Sequence, residues 1–218
     1  MTATFALRGA ALFALIAIVV CAAGCRAATK TPIPAALVDA PLAPSPGQQT
    51  AVFAGGCFWG TQSVFERVKG VLATTATYAQ VTTETTGYAE SVRVVYDPSK
   101  ITYGQLLRVF FSVAHDPTQL NRQGPDVGTS YRSAIFFTSE EQRRISQDYI
   151  AQLDAAQVFK KPIVTQVVPL QGFYMAESYH QDYALHNPGN PYIQVCDRPK
   201  IEALKQQFPE LFQDYKGK

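Results

Sequence analysis

The sequence predicts an α+β fold: a mostly antiparallel sheet with helices on one face, extended at the C-terminal end by further helical and strand segments. Three observations lead there. From Ala51 onward, short runs of strand formers alternate with segments whose apolar residues recur at helical spacing. The order through residue 138 is strand–helix–strand–strand–helix–strand, the split β-α-β or ferredoxin-like arrangement. Turn residues fall between the runs: Gly70, Asp97-Pro98-Ser99, and Ser139 with Gln142 three residues on.

Taken in order, Ala51–Ala54 reads as strand and Thr61–Val68 as a helix with Val64, Phe65 and Val68 on one side. Gly70 closes that helix, and the Thr-rich Val71–Tyr78 follows as strand. A polar turn leads to Ser91–Tyr96, whose Val92, Val94 and Tyr96 share a face. Tyr103–Ala114 reads as helix, with Leu106, Leu107, Phe110 and Phe111 as its stripe. A polar loop from His115 to Ser130 precedes the strand Ser133–Thr138. Ser139 and Gln142 form a capping box for a helix carrying Ile145, Tyr149 and Leu153. A strand over Ile163–Leu170, a helical patch over Glu177–Leu185 and a terminal helix opened by Pro199 complete the chain.

Composition sets the outer limits. The chain has 218 residues, 47% of them hydrophobic, with a formal charge of +2, which fits one globular domain with appendages. No basic stripe with interleaved aromatics supports nucleic-acid binding, and no Walker loop or dinucleotide fingerprint appears. Residues 1–25 read as an export signal: Arg8, an apolar run from Ala10 to Ala23, then small residues. The ending Ala22-Ala23-Gly24-Cys25 is similar to a bacterial lipoprotein signal, with Cys25 as the lipidated residue; plain secretion and an uncleaved anchor are the other readings. Residues 26–50, with five prolines from Pro32 to Pro46, read as an extended tether. The catalytic domain is then 51–218, outside the cytoplasm, in the periplasm or cell envelope.

Export makes the cysteines informative. Cys21 would leave with the signal and Cys25 would be lipidated, so Cys57 and Cys196 remain as a structural disulfide or a redox couple. Cys57 follows two glycines at a strand-to-helix turn. A thiol at a helix start meets unpaired N–H groups and the positive dipole end, which favour the nucleophilic thiolate. Phe58 and Trp59 follow at once. Adjacent rings at such a turn cannot both enter one core, so one is expected to wall a pocket.

Gly56-Cys57-Phe58-Trp59-Gly60 resembles the signature of the type A peptide methionine sulfoxide reductases. Thr86–Val92, Val94–Pro98, His115–Thr118, Asn121–Ser133 and Ala176–Tyr183 resemble further blocks of that family, in its order. The resemblance implies reduction of the S-epimer of methionine sulfoxide, free or in proteins, through a Cys57 sulfenic acid. It implies repair of oxidised exported proteins under oxidative stress. Such chemistry needs a reactive thiol, an acid that stays protonated, hydroxyl donors and an apolar cup for the methyl group. By resemblance Glu90 is the acid, Tyr131 and Tyr78 the hydroxyls, Phe58 and Trp59 the cup, and Asp126 a substrate-backbone contact. Cys196 is expected as resolving thiol, an unpaired structural thiol or a static disulfide, and a thioredoxin-like reductant would close the cycle. The resemblance implies no metal and no organic cofactor. His180 and His186, six apart, do not share a helical face, and a solvated His180 is expected.

The departures from the pattern are local. Ala79–Thr86 bridges a loop that is longer in the family, Tyr88 stands where histidine is common, and Gln62 where glutamate is common. Two other readings of the residues remain: a peroxidase-like thiol enzyme, and a catalytically silent surface binding protein of the same fold.

Overall fold

The computed structural model describes residues 33–80, 87–215 and 217. The expected export signal, Cys25 with its lipid, and residues 81–86 of the shortened loop lie outside them. Strand β1 (Gln49–Gly55) enters the core, and Cys57 caps helix α1 (Phe58–Phe65). The chain returns through β2 (Val71–Gln80) and β3 (Tyr88–Tyr96). Helix α2 (Tyr103–Val109) follows and loosens into a π turn over Phe110–Ala114. After that turn comes a two-stranded ribbon, β4 (Arg122–Gln123) and β5 (Asp126–Val127), then a 3-10 turn at Thr129–Tyr131. Next come β6 (Ser133–Phe137), helix α3 (Glu140–Ala155), β7 (Gln166–Pro169) and β8 (Phe173–Met175). A short helix α4 (Tyr183–His186), a π turn over Ile193–Asp197 and helix α5 (Arg198–Gln207) finish the domain.

The main sheet has the order β7-β6-β1-β3-β2-β8. Its middle four strands, β6-β1-β3-β2, pair antiparallel, as the split β-α-β order requires. The crossover through α3 lays β7 parallel on β6, while β8 joins antiparallel at the far edge on β2. Alternation within β1 divides the core: Ala51 and Phe53 join the cluster that includes Leu106, Ile145 and Leu153 of α2 and α3, whereas Val52 and Ala54 join a second cluster. Phe53 stacks between Phe65 and Phe110 at 5.2 and 4.9 Å and is fully buried.

Three expectations change. Ser139 accepts from Gln142 N at 3.2 Å, but the Gln142 side chain turns to Thr138 N at 3.0 Å, so the capping box is only half formed. The patch at 177–185 is a 3-10 turn and one short helix. Residues 33–48 have no helix or strand, as their prolines suggest, yet they do not hang free. Ile33 is buried, its carbonyl takes Arg108 Nε at 2.7 Å, Pro34 O takes the Tyr149 hydroxyl at 2.6 Å, and Asp39 receives Gly104 N at 2.8 Å. Backbone carbonyls and one carboxylate thus strap the segment over α2 and α3. No helix among the described residues is long and apolar enough to cross a membrane.

Candidate active site

The site is built where β1 breaks into α1. Gly56 makes the break with φ +84°, and a Cβ there would lie 2.3 Å from Gln123 Cβ of β4, so only glycine fits. Gln123 in turn ties down Asp116, accepting from its N at 3.1 Å and donating to its O at 3.2 Å, which brings the His115–Ser133 block over the turn. Cys57 therefore sits at the start of α1 as a free thiol, 8% exposed.

Glu90 reaches this thiol from β3. Its Oε2 accepts the Phe58 amide at 3.1 Å, and the carboxyl and the Cys57 thiol are close enough to shift each other's ionisation. Burial raises Glu90 from the usual 4.5 to about 7, with Asp126 adding to the rise and the Phe58 amide opposing it. The carboxyl thus exchanges its proton near neutrality. Tyr78 stands directly across the strand pair from Glu90, so the β2–β3 register turns both into the same cleft. Its hydroxyl donates to Glu177 at 3.2 Å, and burial pushes its pKa up to about 12. Tyr131, at the end of the 3-10 turn, has its phenol raised by burial and by the nearby Glu90, Asp126 and Cys57.

One sequence expectation is reversed. Cys57 was expected to favour thiolate; the structure pushes its pKa well up, by burial first and then by the Asp197 and Glu90 carboxyls. The Trp59 amide and Lys200 pull the other way and are outweighed. Desolvation of a nearly enclosed sulfur exceeds what one helix start supplies. The resting centre is a neutral thiol beside a carboxyl that can take its proton.

The two rings after Cys57 differ in exposure, though both pack on the same core cluster. Phe58 is 2% exposed and packs on Tyr78 and His180 at 5.5 and 5.1 Å. Trp59 is partly exposed, stacks on Tyr183 at 3.8 Å and meets Tyr192 edge-on at 5.9 Å. His180 was expected in solvent; instead its Nδ1 accepts Trp59 Nε1 at 3.1 Å, fixing the indole. Gln62 holds the same wall, accepting Asp182 N at 3.1 Å. Asp126 accepts the Tyr192 hydroxyl. Tyr192 joins the cleft without any sequence signal that singles it out, since its spacing from Cys57 carries no period. His115 is buried, bonded to Phe110 O at 3.1 Å and Thr165 Oγ1 at 3.3 Å; burial lowers it to about 4, so it is a neutral core group. His186 lies exposed. Among the described residues no group of three His, Cys, Asp or Glu side chains could hold a metal.

Cys196 is buried and disulfide-bonded, while Cys57 is free, so the two are not joined to each other. In this state Cys196 offers no thiol to Cys57.

A free thiol and a carboxyl poised near neutrality thus lie together among aromatic rings. Comparison with known proteins narrows the class. The peptide methionine sulfoxide reductase family matches residues 49–211. Peptide methionine sulfoxide reductase MsrA 2 of Mesorhizobium japonicum is 54% identical over 180 residues, covering 78% of this chain and 92% of that protein. A protein of the same name from Synechocystis is 49% identical over 174 residues, 75% of this chain and 81% of its own. Among solved structures, methionine sulfoxide reductase A of Corynebacterium diphtheriae is 33% identical with a TM-score of 0.53, covering 75% of this chain and 89% of its own. Reduced Mxr1 of Saccharomyces cerevisiae is 27% identical with a TM-score of 0.58, covering 73% and 96%. The chain belongs to the peptide methionine sulfoxide reductase family. It is an enzyme of that type, and its α+β fold is theirs.

Proposed function

We propose that the protein reduces the S-epimer of methionine sulfoxide, free or in proteins, with Cys57 as nucleophile and Glu90 as proton carrier. The observation that carries this reading is the Glu90 carboxyl, held on the Phe58 amide beside the thiol and poised near pH 7. In its carboxylate form Glu90 takes the thiol proton as Cys57 sulfur attacks the sulfoxide sulfur. The same proton then goes to the sulfoxide oxygen, with Tyr131 and Tyr78 donating hydrogen bonds to it. The protonated oxygen then passes as hydroxyl from the substrate sulfur to Cys57 sulfur: the substrate S–O bond and the transient S–S bond break, a Cys57 S–O bond forms, and methionine leaves as a sulfide; the substrate sulfur gains the two electrons that Cys57, now a sulfenic acid, loses. Phe58 and Trp59 enclose the S-methyl group of the substrate, and Asp126 orients the substrate backbone.

A thiol then condenses with the sulfenic acid, releasing water and leaving a disulfide, which a thioredoxin-like dithiol reduces. With the leader removed and Cys25 lipidated, Cys57 and Cys196 would be the two thiols of the mature chain, and Cys196 could then serve as resolver. The signal-like N-terminus supports work at the cell envelope on oxidised exported proteins. Turnover of each epimer of a methionine sulfoxide peptide with dithiothreitol tests the core of this reading. The S-epimer should be consumed and Cys57→Ser should abolish the reaction. Consumption of only the R-epimer, or activity surviving Cys57→Ser, would overturn it.

A further inference from the structure

Behind α1 lies a buried ion pair that the reaction above does not use. Asp197, the last residue of the π turn, is fully buried, and Lys200 of α5 is 5% exposed; Lys200 Nζ stands 3.4 Å from Asp197 Oδ1. Among the described residues neither Asp197 oxygen has a hydrogen-bond partner, and the ammonium of Lys200 answers the carboxylate's charge. Desolvation of such a pair offsets its attraction, so it is weak evidence for stability. Its place in the fold is specific. A Cβ on Gly60 would lie 2.1 Å from Asp197 Oδ1 and 2.6 Å from Lys200 Nζ, so the missing side chain of Gly60 is the space the pair occupies. Cys57 is the N-cap of α1 and Gly60 its third residue, so the pair packs against the first turn of the helix that Cys57 opens.

We propose that Asp197 and Lys200 are positioning residues for the Cys57 thiol, Lys200 supplying the cation against which the thiolate forms and Asp197 holding and moderating that cation. This rests on the reading of Cys57 as nucleophile. The directions agree: Lys200 lowers the Cys57 pKa and Asp197 raises it. Other groups face the thiol and must be carried through any titration: Glu90 from β3, Tyr131 from the 3-10 turn, and Tyr192 at the start of the π turn. Asp126 of β5 acts on Asp197, and His115 feels Lys200. Asp197 is itself raised by burial to about 6, with Lys200 opposing, so it changes charge below neutrality. In acid the moderating charge disappears and Lys200 acts on the thiol alone.

The test reads the thiol rather than turnover, so its failure is separate from failure of the proposed reaction. Alkylation of Cys57 by iodoacetamide is followed by peptide mass spectrometry from pH 5 to 10, on the full chain and on Lys200→Met, Asp197→Asn and the double variant. Asp197→Asn should speed alkylation at pH 7 by about tenfold, one pH step of ionisation, and Lys200→Met should slow it by a smaller factor. The double variant, which leaves no unpaired buried charge, should fall between the two single variants and lose the step near pH 6. Shifts of both single variants in the same direction, or none in folded protein, would overturn the proposal. Should a single variant fail to fold, the double variant decides in a Glu90→Gln background, where the carboxyl at about 7 no longer titrates: a step near pH 6 that survives there refutes the role of Asp197 and with it the pair.

Discussion

Glu90→Gln should make the protein more stable and less active, and the gain should depend on pH in a defined way. In the folded state Glu90 sits at about 7, against 4.5 for a free side chain. Below pH 4.5 the carboxyl is protonated folded or unfolded, and it costs nothing. Between 4.5 and 7 the unfolded chain releases the proton while the folded chain keeps it, so wild-type stability falls as pH rises. Above 7 both states are ionised and the penalty is constant. At about 1.4 kcal/mol per pH step, that interval amounts to about 3 kcal/mol at most. Glutamine keeps an oxygen for the Phe58 amide and carries no charge, so the variant escapes the penalty. Urea unfolding at pH 4 and pH 8 measures this. The two proteins should unfold alike at pH 4, and the variant should be more stable by up to about 3 kcal/mol at pH 8, roughly 6–12 °C in Tm for a domain of this size. Turnover should fall steeply, because glutamine has no proton to pass. Equal stabilisation at both pH values, or none at pH 8, would refute the assignment of a raised pKa to Glu90.

Three further outcomes are expected. Tyr131→Phe should lower kcat by roughly 10- to 100-fold, the worth of a hydrogen bond to a charged oxygen, while Tyr78→Phe should cost less, because its hydroxyl already donates to Glu177; steady-state kinetics on one sulfoxide peptide compares them. Thiol titration of the processed, membrane-extracted protein should count two thiols per chain, and Cys196→Ala should then impair the thioredoxin-coupled cycle while sparing a single turnover; one thiol per chain would leave resolution to an external dithiol. Ile33→Ala should cost about 2 kcal/mol or more of stability by urea unfolding, since the side chain is 3% exposed; a neutral result would return residues 33–48 to the status of a tether.

How much of this was legible beforehand differs from element to element. The four central strands and α1 to α3 follow from alternation and helical spacing, because their apolar residues face one core. β8 left no trace in the pattern: all three of its residues are exposed, so no period of burial marks it. The β4–β5 ribbon spans two residues a side, too short for any period. The packed arm at 33–48 is held largely by backbone carbonyls, which composition does not reveal. At the site, the Cys57-Phe58-Trp59 run and Glu90 are readable because their chemistry is local or carried by the family resemblance. The thiol's ionisation was misread because it depends on burial and on Asp197, 140 positions away in sequence. The β2–β3 register, which no local pattern reveals, places Tyr78 opposite Glu90.

The central claim is that Cys57 takes the oxygen of an S-epimer sulfoxide. The most direct measurement is a single turnover without reductant, on a Cys196→Ala chain, with each epimer of a methionine sulfoxide peptide and a sulfenic-acid trap, read by mass spectrometry. The account predicts about one methionine formed per chain from the S-epimer, with the trap attached to Cys57 and nothing formed from the R-epimer. Methionine formed without a trapped Cys57, or a trapped Cys57 without methionine, would contradict it.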